Sequence, residues 1–101
     1  MDLKGGWIKV QNVFPINKKE IIKVKLNTLT DVKNFVNLAG KLNDEVIVYS
    51  GHYVVDGKSL MGILSLALNY MIDVRVVNKE EKEKFIQGLD KLDISFAYMK
   101  E

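Results

Sequence analysis

The sequence contains no cysteine. That removes disulfide frameworks, thiolate zinc sites and cysteine nucleophiles together, and it fits a reducing compartment. Long apolar runs are missing too. No window reaches the roughly 20 residues that a spanning helix needs, and the opening MDLKGGWIKVQ has no secretory h-region. An excess of one charge is equally absent, because 15 Lys+Arg against 13 Asp+Glu leave a net +2. Lysines and acids are interleaved, and the clusters Lys18-Lys19 and Lys23-Lys25 are too small for a nucleic-acid footprint. Only one histidine is present, His52. With no metal-ligand cluster, no nucleophile–base pair and no glycine-rich phosphate cradle, the residues give no enzyme, metal or cofactor reading. The expectation is a soluble cytoplasmic protein that engages neither nucleic acid nor a membrane.

What remains is a chain of 101 residues, 48% hydrophobic, which suits one domain around one core. The single proline, Pro15 in NVFPINKKE, sets off an N-terminal arm over 1–18. This arm carries Trp7, Ile8, Val10, Val13 and Phe14. So many large apolar groups argue for a short strand over part of the core and against a disordered tail.

From Ile21 the periodicity is regular. IIKVKL alternates, placing Ile22, Val24 and Leu26 on one side of a strand. TLTDVKNFVNLAGKL changes period, and Val32, Phe35, Val36, Ala39 and Leu42 share a helical stripe. EVIVYS, a Ser50-Gly51 turn and HYVVD form a hairpin. SLMGILSLALNY is predicted as a helix and DVRVVN as a strand. KEEKEKFIQGLDKL is predicted as a helix turning Phe85, Ile86, Leu89 and Leu92 inward, its acids and lysines forming a solvated face. The tail DISFAYMKE adds an edge strand or packs as an arm. The order β-α-β-β-α-β-α over 19–92, with the tail at 93–101, implies an α+β fold with an antiparallel sheet and its helices on one face.

The stretch DGKSLMGILSLAL is more apolar than a surface helix requires. On a helical wheel Ile63, Leu66 and Ala67 point one way, while Leu60, Met61, Leu64 and Leu68 point another. A two-layer domain covers only one of these sides. The other is either sheltered by an arm or a second copy, or left as a docking patch. Ser59, just before it, is a good N-cap and equally a hydroxyl placed where a modification would alter that patch.

The run Lys58-Ser59-Leu60-Met61-Gly62, between the hairpin and DVRVV, resembles the regulatory-serine region of HPr. HPr is the histidine-containing phosphocarrier of the bacterial sugar phosphotransferase system. The resemblance covers about Ile21 to Leu92. It implies an open-faced β-sandwich with a four-stranded antiparallel sheet under three helices. It also implies two phosphorylation positions. The carrier histidine, followed two residues later by arginine and then proline, falls by ungapped counting on Thr28, Thr30 and Asp31, and none matches. A threonine ester lacks the transfer potential of a phosphoramidate, Thr30 cannot supply the arginine's charge-assisted hydrogen bonds, and Asp31 next to it would repel a phosphoryl group. The carrier role is therefore read as lost, with Thr28-x-x-Asp31 as a helix cap and His52 as a turn residue.

The regulatory serine, by contrast, is present as Ser59. The resemblance implies HPr kinase/phosphorylase as its modifying enzyme and a catabolite-control repressor as a partner. Loss of the histidine with retention of the serine is similar to the Crh-like arrangement in that family. The expected role is a non-catalytic regulatory or adaptor module for carbon catabolite control. It would dock proteins through Lys58, Ser59, Leu60, Met61, Leu64 and Leu68, with Ser59 as the switch. The alternatives are a phosphocarrier in sugar uptake, or a purely structural or oligomerisation domain.

Overall fold

The computed structural model describes residues 21–66 and 71–98. Five strands form one antiparallel sheet in the order β3-β2-β4-β1-β5. They are β1 (Ile21–Lys25), β2 (Ile47–Ser50), β3 (Tyr53–Asp56), β4 (Met71–Arg75) and β5 (Ser95–Tyr98). Among the described residues three helices, α1 (Leu29–Gly40), α2 (Leu60–Leu64) and α3 (Lys79–Lys91), cover one face.

Strand alternation decides which residues meet those helices. In β1 and β4 the buried residues are every second one, Ile22 and Val24 against Ile72 and Val74. They join Val48 of β2 and Phe96 of β5 in the core. The helices answer with Val32, Phe35 and Ala39 from α1, Ile63 from α2, and Phe85 and Leu89 from α3. Phe35 and Phe85 meet edge to face, with ring centroids 5.5 Å apart.

The sheet has five strands where four were expected. The tail takes the strand alternative, because α3 ends in a turn that aims the chain back along β1. Asp93 adopts φ +61, its N–H donates to the Asp90 carbonyl, and the N–H of Ile94 donates to that of Leu89. This is the bonding pattern of a Schellman stop with aspartate in the left-handed position. It makes Leu92 the cap residue and leaves it partly exposed, contrary to the inward placement expected. Ile94 takes that place in the core.

Two boundaries also move. The described part of the second helix is Leu60–Leu64, shorter than the predicted 59–70, and Ala67 and Leu68 lie outside the described residues along with the arm at 1–18. The fourth strand runs Met71–Arg75, starting two residues before DVRVVN and stopping short of its end, where Asn78 caps α3. The hairpin turns at Gly51, whose φ of +59 glycine adopts without steric cost.

Candidate functional site

Ser59 caps α2. Its backbone is extended (φ −100°, ψ 112°), and its Oγ accepts the Gly62 N–H at 3.0 Å, as an N-cap serine should. The approach to it is held from both sides. The Gly57 N–H donates to the Val46 carbonyl at 2.7 Å. A Cβ on Gly57 would lie 2.5 Å from Val46 Cγ1 and 3.0 Å from the Val46 carbonyl oxygen, so only glycine permits this contact. Asp56 Oδ1 accepts the Lys58 N–H, and the Lys58 ammonium donates to the Leu42 carbonyl at 3.0 Å, just past the end of α1. Lys58 is thus a strut between β3 and α1, already committed within the fold.

Beyond the cap, α2 divides as the wheel predicts. Ile63 and Leu66 are buried, while Leu60 is 39%, Met61 76% and Leu64 40% exposed. Gly62 lets the helix lie close on the hairpin, with Val55 Cβ only 3.3 Å from where its own Cβ would stand. The structure therefore groups Lys58, Ser59, Leu60, Met61 and Leu64 at one place, with three apolar side chains open beside the hydroxyl.

Thr28 stands elsewhere. It caps the other end of α1, where Oγ1 accepts the Asp31 N–H at 3.1 Å, while Asp31 Oδ2 accepts the Asn27 N–H at 3.0 Å. The α1 helix has 12 residues, about 18 Å of length. It separates Thr28 from the Leu42 carbonyl that Lys58 holds, so the two positions are separate sites. The cap uses the Thr28 side chain, which stands at the position the carrier pattern gives its histidine. His52 is exposed in the hairpin turn, following Gly51.

Compared with known proteins, the chain matches no family model and no curated protein sequence. Among solved structures it is similar to an HPr (HPr-C-His) from Thermoanaerobacter tengcongensis. The two are 27% identical with a TM-score of 0.56, over 71% of this chain and 85% of that one. The fold is HPr-like. That likeness supports a relation to the phosphocarrier family, and β5 is an addition to the four-stranded sheet the resemblance implied.

This HPr-like domain also has a clasp that the sequence reading missed. Asn78 caps α3 through Oδ1, which accepts the Glu81 N–H at 3.0 Å. In a capping box Glu81 would reach back to the Asn78 N–H. Instead Asp44 Oδ2 accepts that N–H at 3.1 Å, while Glu81 Oε1 accepts the Asn43 N–H at 2.7 Å. The α1–β2 loop and the start of α3 thereby exchange carboxylates. Glu81 and Lys82 are buried, so KEEKEKF is not wholly a solvated face. Glu81 also pairs with Lys84 at 3.1 Å. The Asn78-x-x-Glu81 spacing was visible in the sequence, but its partners 34 and 38 residues away were not.

The Asn43 N–H, and after it Lys84, hold the Glu81 carboxyl below its ordinary value despite some desolvation. A carboxyl depressed on folding stabilises the fold above its unfolded pKa, and that contribution is lost as pH falls through the folded value. Thermal melts should therefore decline on acidification below the usual glutamate range, and Glu81→Gln should flatten that decline while lowering Tm at neutral pH. Parallel pH profiles for the two proteins would contradict the assignment.

Proposed function

We propose that this chain is a non-catalytic, HPr-like regulatory module. It docks a protein partner on the face of Leu60, Met61 and Leu64, and phosphorylation of Ser59 switches that docking. The observation that carries the reading is the open apolar cluster directly after a capping hydroxyl. Burying such side chains is worth roughly 1.5–3 kcal/mol each, and a phosphate dianion beside them changes which surfaces accept the face. Because α2 is short, a phosphate would be received more by the unpaired N–H groups of its first turn than by a long helix dipole. Leu68, assigned to that face by its spacing in the sequence, lies beyond the end of α2 and outside the described residues.

HPr kinase/phosphorylase is the proposed modifying enzyme and a catabolite-control repressor the proposed partner, with a second copy of the chain as a further candidate. Incubation with the kinase and ATP should add one phosphoryl group by intact mass. Ser59→Ala should accept none and should lose about 0.5–2 kcal/mol of stability with its cap. No added mass, or a phosphate on another residue, would remove the switch. Transfer from phosphoenolpyruvate through enzyme I should leave the chain unlabelled, since Thr28 occupies the carrier-histidine position and its hydroxyl caps α1.

A further inference from the structure

The sheet ends on one side at β3, and among the described residues no strand pairs with the outer edge of β3. Its residues YVVD favour extended chain, yet Tyr53 is 71% and Val54 62% exposed. Edges of this kind are normally blunted by lysine, proline or a bulge. β3 has none of these. Its only charge is Asp56 at the end, and its register with β2 runs unbroken from Ser50–Tyr53 to Ile47–Asp56. The hairpin, turning on Gly51 and His52, fixes which groups the edge offers. Ser50 and Tyr53 close that turn as a hydrogen-bonded pair, and such pairs alternate along the ladder. The N–H and C=O of Val54 and the N–H of Asp56 are therefore turned outward. Beside the Asp56 end of the strand lies a hollow of about 450 Å³, whose lining includes Glu45, Ile47, Val54, Asp56 and Lys58.

We propose that β3 pairs antiparallel with β3 of a second copy of this chain, joining the two sheets across a two-fold axis at Val54. An antiparallel edge is self-complementary, so the same surface serves both partners. An axis perpendicular to the sheet keeps the helices of both copies on one side, and directly opposed residues then share a face. Val54 therefore meets Val54, Tyr53 meets Val55, and His52 meets Asp56. The first pair exchanges the outward N–H and C=O groups of Val54. The second lays the exposed tyrosine ring against a half-buried valine. The third selects the occupant by its chemistry. His52 is the only histidine and is exposed at the hairpin tip. The pairing brings it to the hollow where the other copy carries Glu45 and Asp56. The Lys58 ammonium there is held by the Leu42 carbonyl, so the hollow meets the incoming tip with acids. A neutral imidazole has one N–H to donate to a carboxylate, and a protonated one has two. This pairing rests on β3 and its hairpin, not on the reading of Ser59.

A strand of four residues a side makes a small interface of the weak class, below about 1,200 Å², so the assembly depends on concentration. In sedimentation equilibrium of the unphosphorylated chain, with no other protein present, the average mass should rise toward two chains as concentration increases. Val54→Pro removes the outward N–H and should hold the mass at one chain. His52→Glu sets a third acid in the hollow and should weaken association by about tenfold or more, while His52→Lys should preserve it. Neither change touches the strand, so far-UV dichroism should stay as it is. Leu60→Ser/Met61→Ser should leave the dimer intact, which separates this edge from the α2 face. The chain has no cysteine, so Val54→Cys, about 5.5 Å from its counterpart in a hydrogen-bonded pair, should oxidise to a covalent dimer many-fold faster than Asn37→Cys on α1. A mass of one chain at every concentration, a dimer unchanged by Val54→Pro or His52→Glu, or one lost with Leu60→Ser/Met61→Ser would each overturn the pairing.

Discussion

Phe85→Ala is expected to cost about 3–5 kcal/mol of folding free energy, which for a domain of this size lowers Tm by roughly 12 °C or more. Phe85 is fully buried and meets Phe35 edge to face, so the substitution removes an aromatic contact as well as buried area. The pair joins α1 to α3, and the two helices are also tied through Leu38, whose Cδ1 would lie 2.4 Å from a Cβ on Gly88. The interface is thus packed too closely to collapse around a lost ring, which places the cost toward the upper end. Urea unfolding checks it. Since total stabilities are typically about 5–15 kcal/mol, Phe85→Leu provides a milder measurement should the alanine protein not fold. A loss below 1 kcal/mol from Phe85→Ala would show that the rings do not bear on each other as described.

The second large effect is on binding. Leu60→Ser/Met61→Ser should shift stability by less than about 1 kcal/mol, since both side chains already face water. Titration of the phosphorylated protein with a catabolite-control repressor should nonetheless weaken by roughly 30-fold or more, the scale of losing about 2 kcal/mol of hot-spot contact. The comparison separates a docking face from a structural one. A marked loss of stability, or a dimer that dissociates on substitution, would identify these side chains as part of the protein's own packing or self-association. Unchanged affinity would remove α2 from the partner interface.

Local signals account for much of the architecture. Alternation in IIKVKL and the 3.6-residue stripes of α1 and α3 identified core residues, because burial on one face of a strand or helix leaves its period in the chain. Thr28-x-x-Asp31 and Ser59 were legible as caps for the same reason: the donor and acceptor lie within one turn. The split of α2 into a buried Ile63 side and an open Leu60, Met61 and Leu64 side also followed from its wheel. The Schellman stop at Asp93 was harder to see, since glycine or asparagine normally marks it. Missing it left the tail undecided between strand and arm, and Leu92 pointing inward.

By itself, then, the sequence determined the α+β class, the main elements and most of the core, and it excluded thiol chemistry. These follow from residue identity and from spacings of two to four residues. Only the tertiary structure decided that β5 pairs with β1, that Asp44 and Glu81 exchange partners between a loop and a helix, and that Lys58 is held by the Leu42 carbonyl. Each of these joins residues distant along the chain, and such contacts exist only after the strands have taken their register.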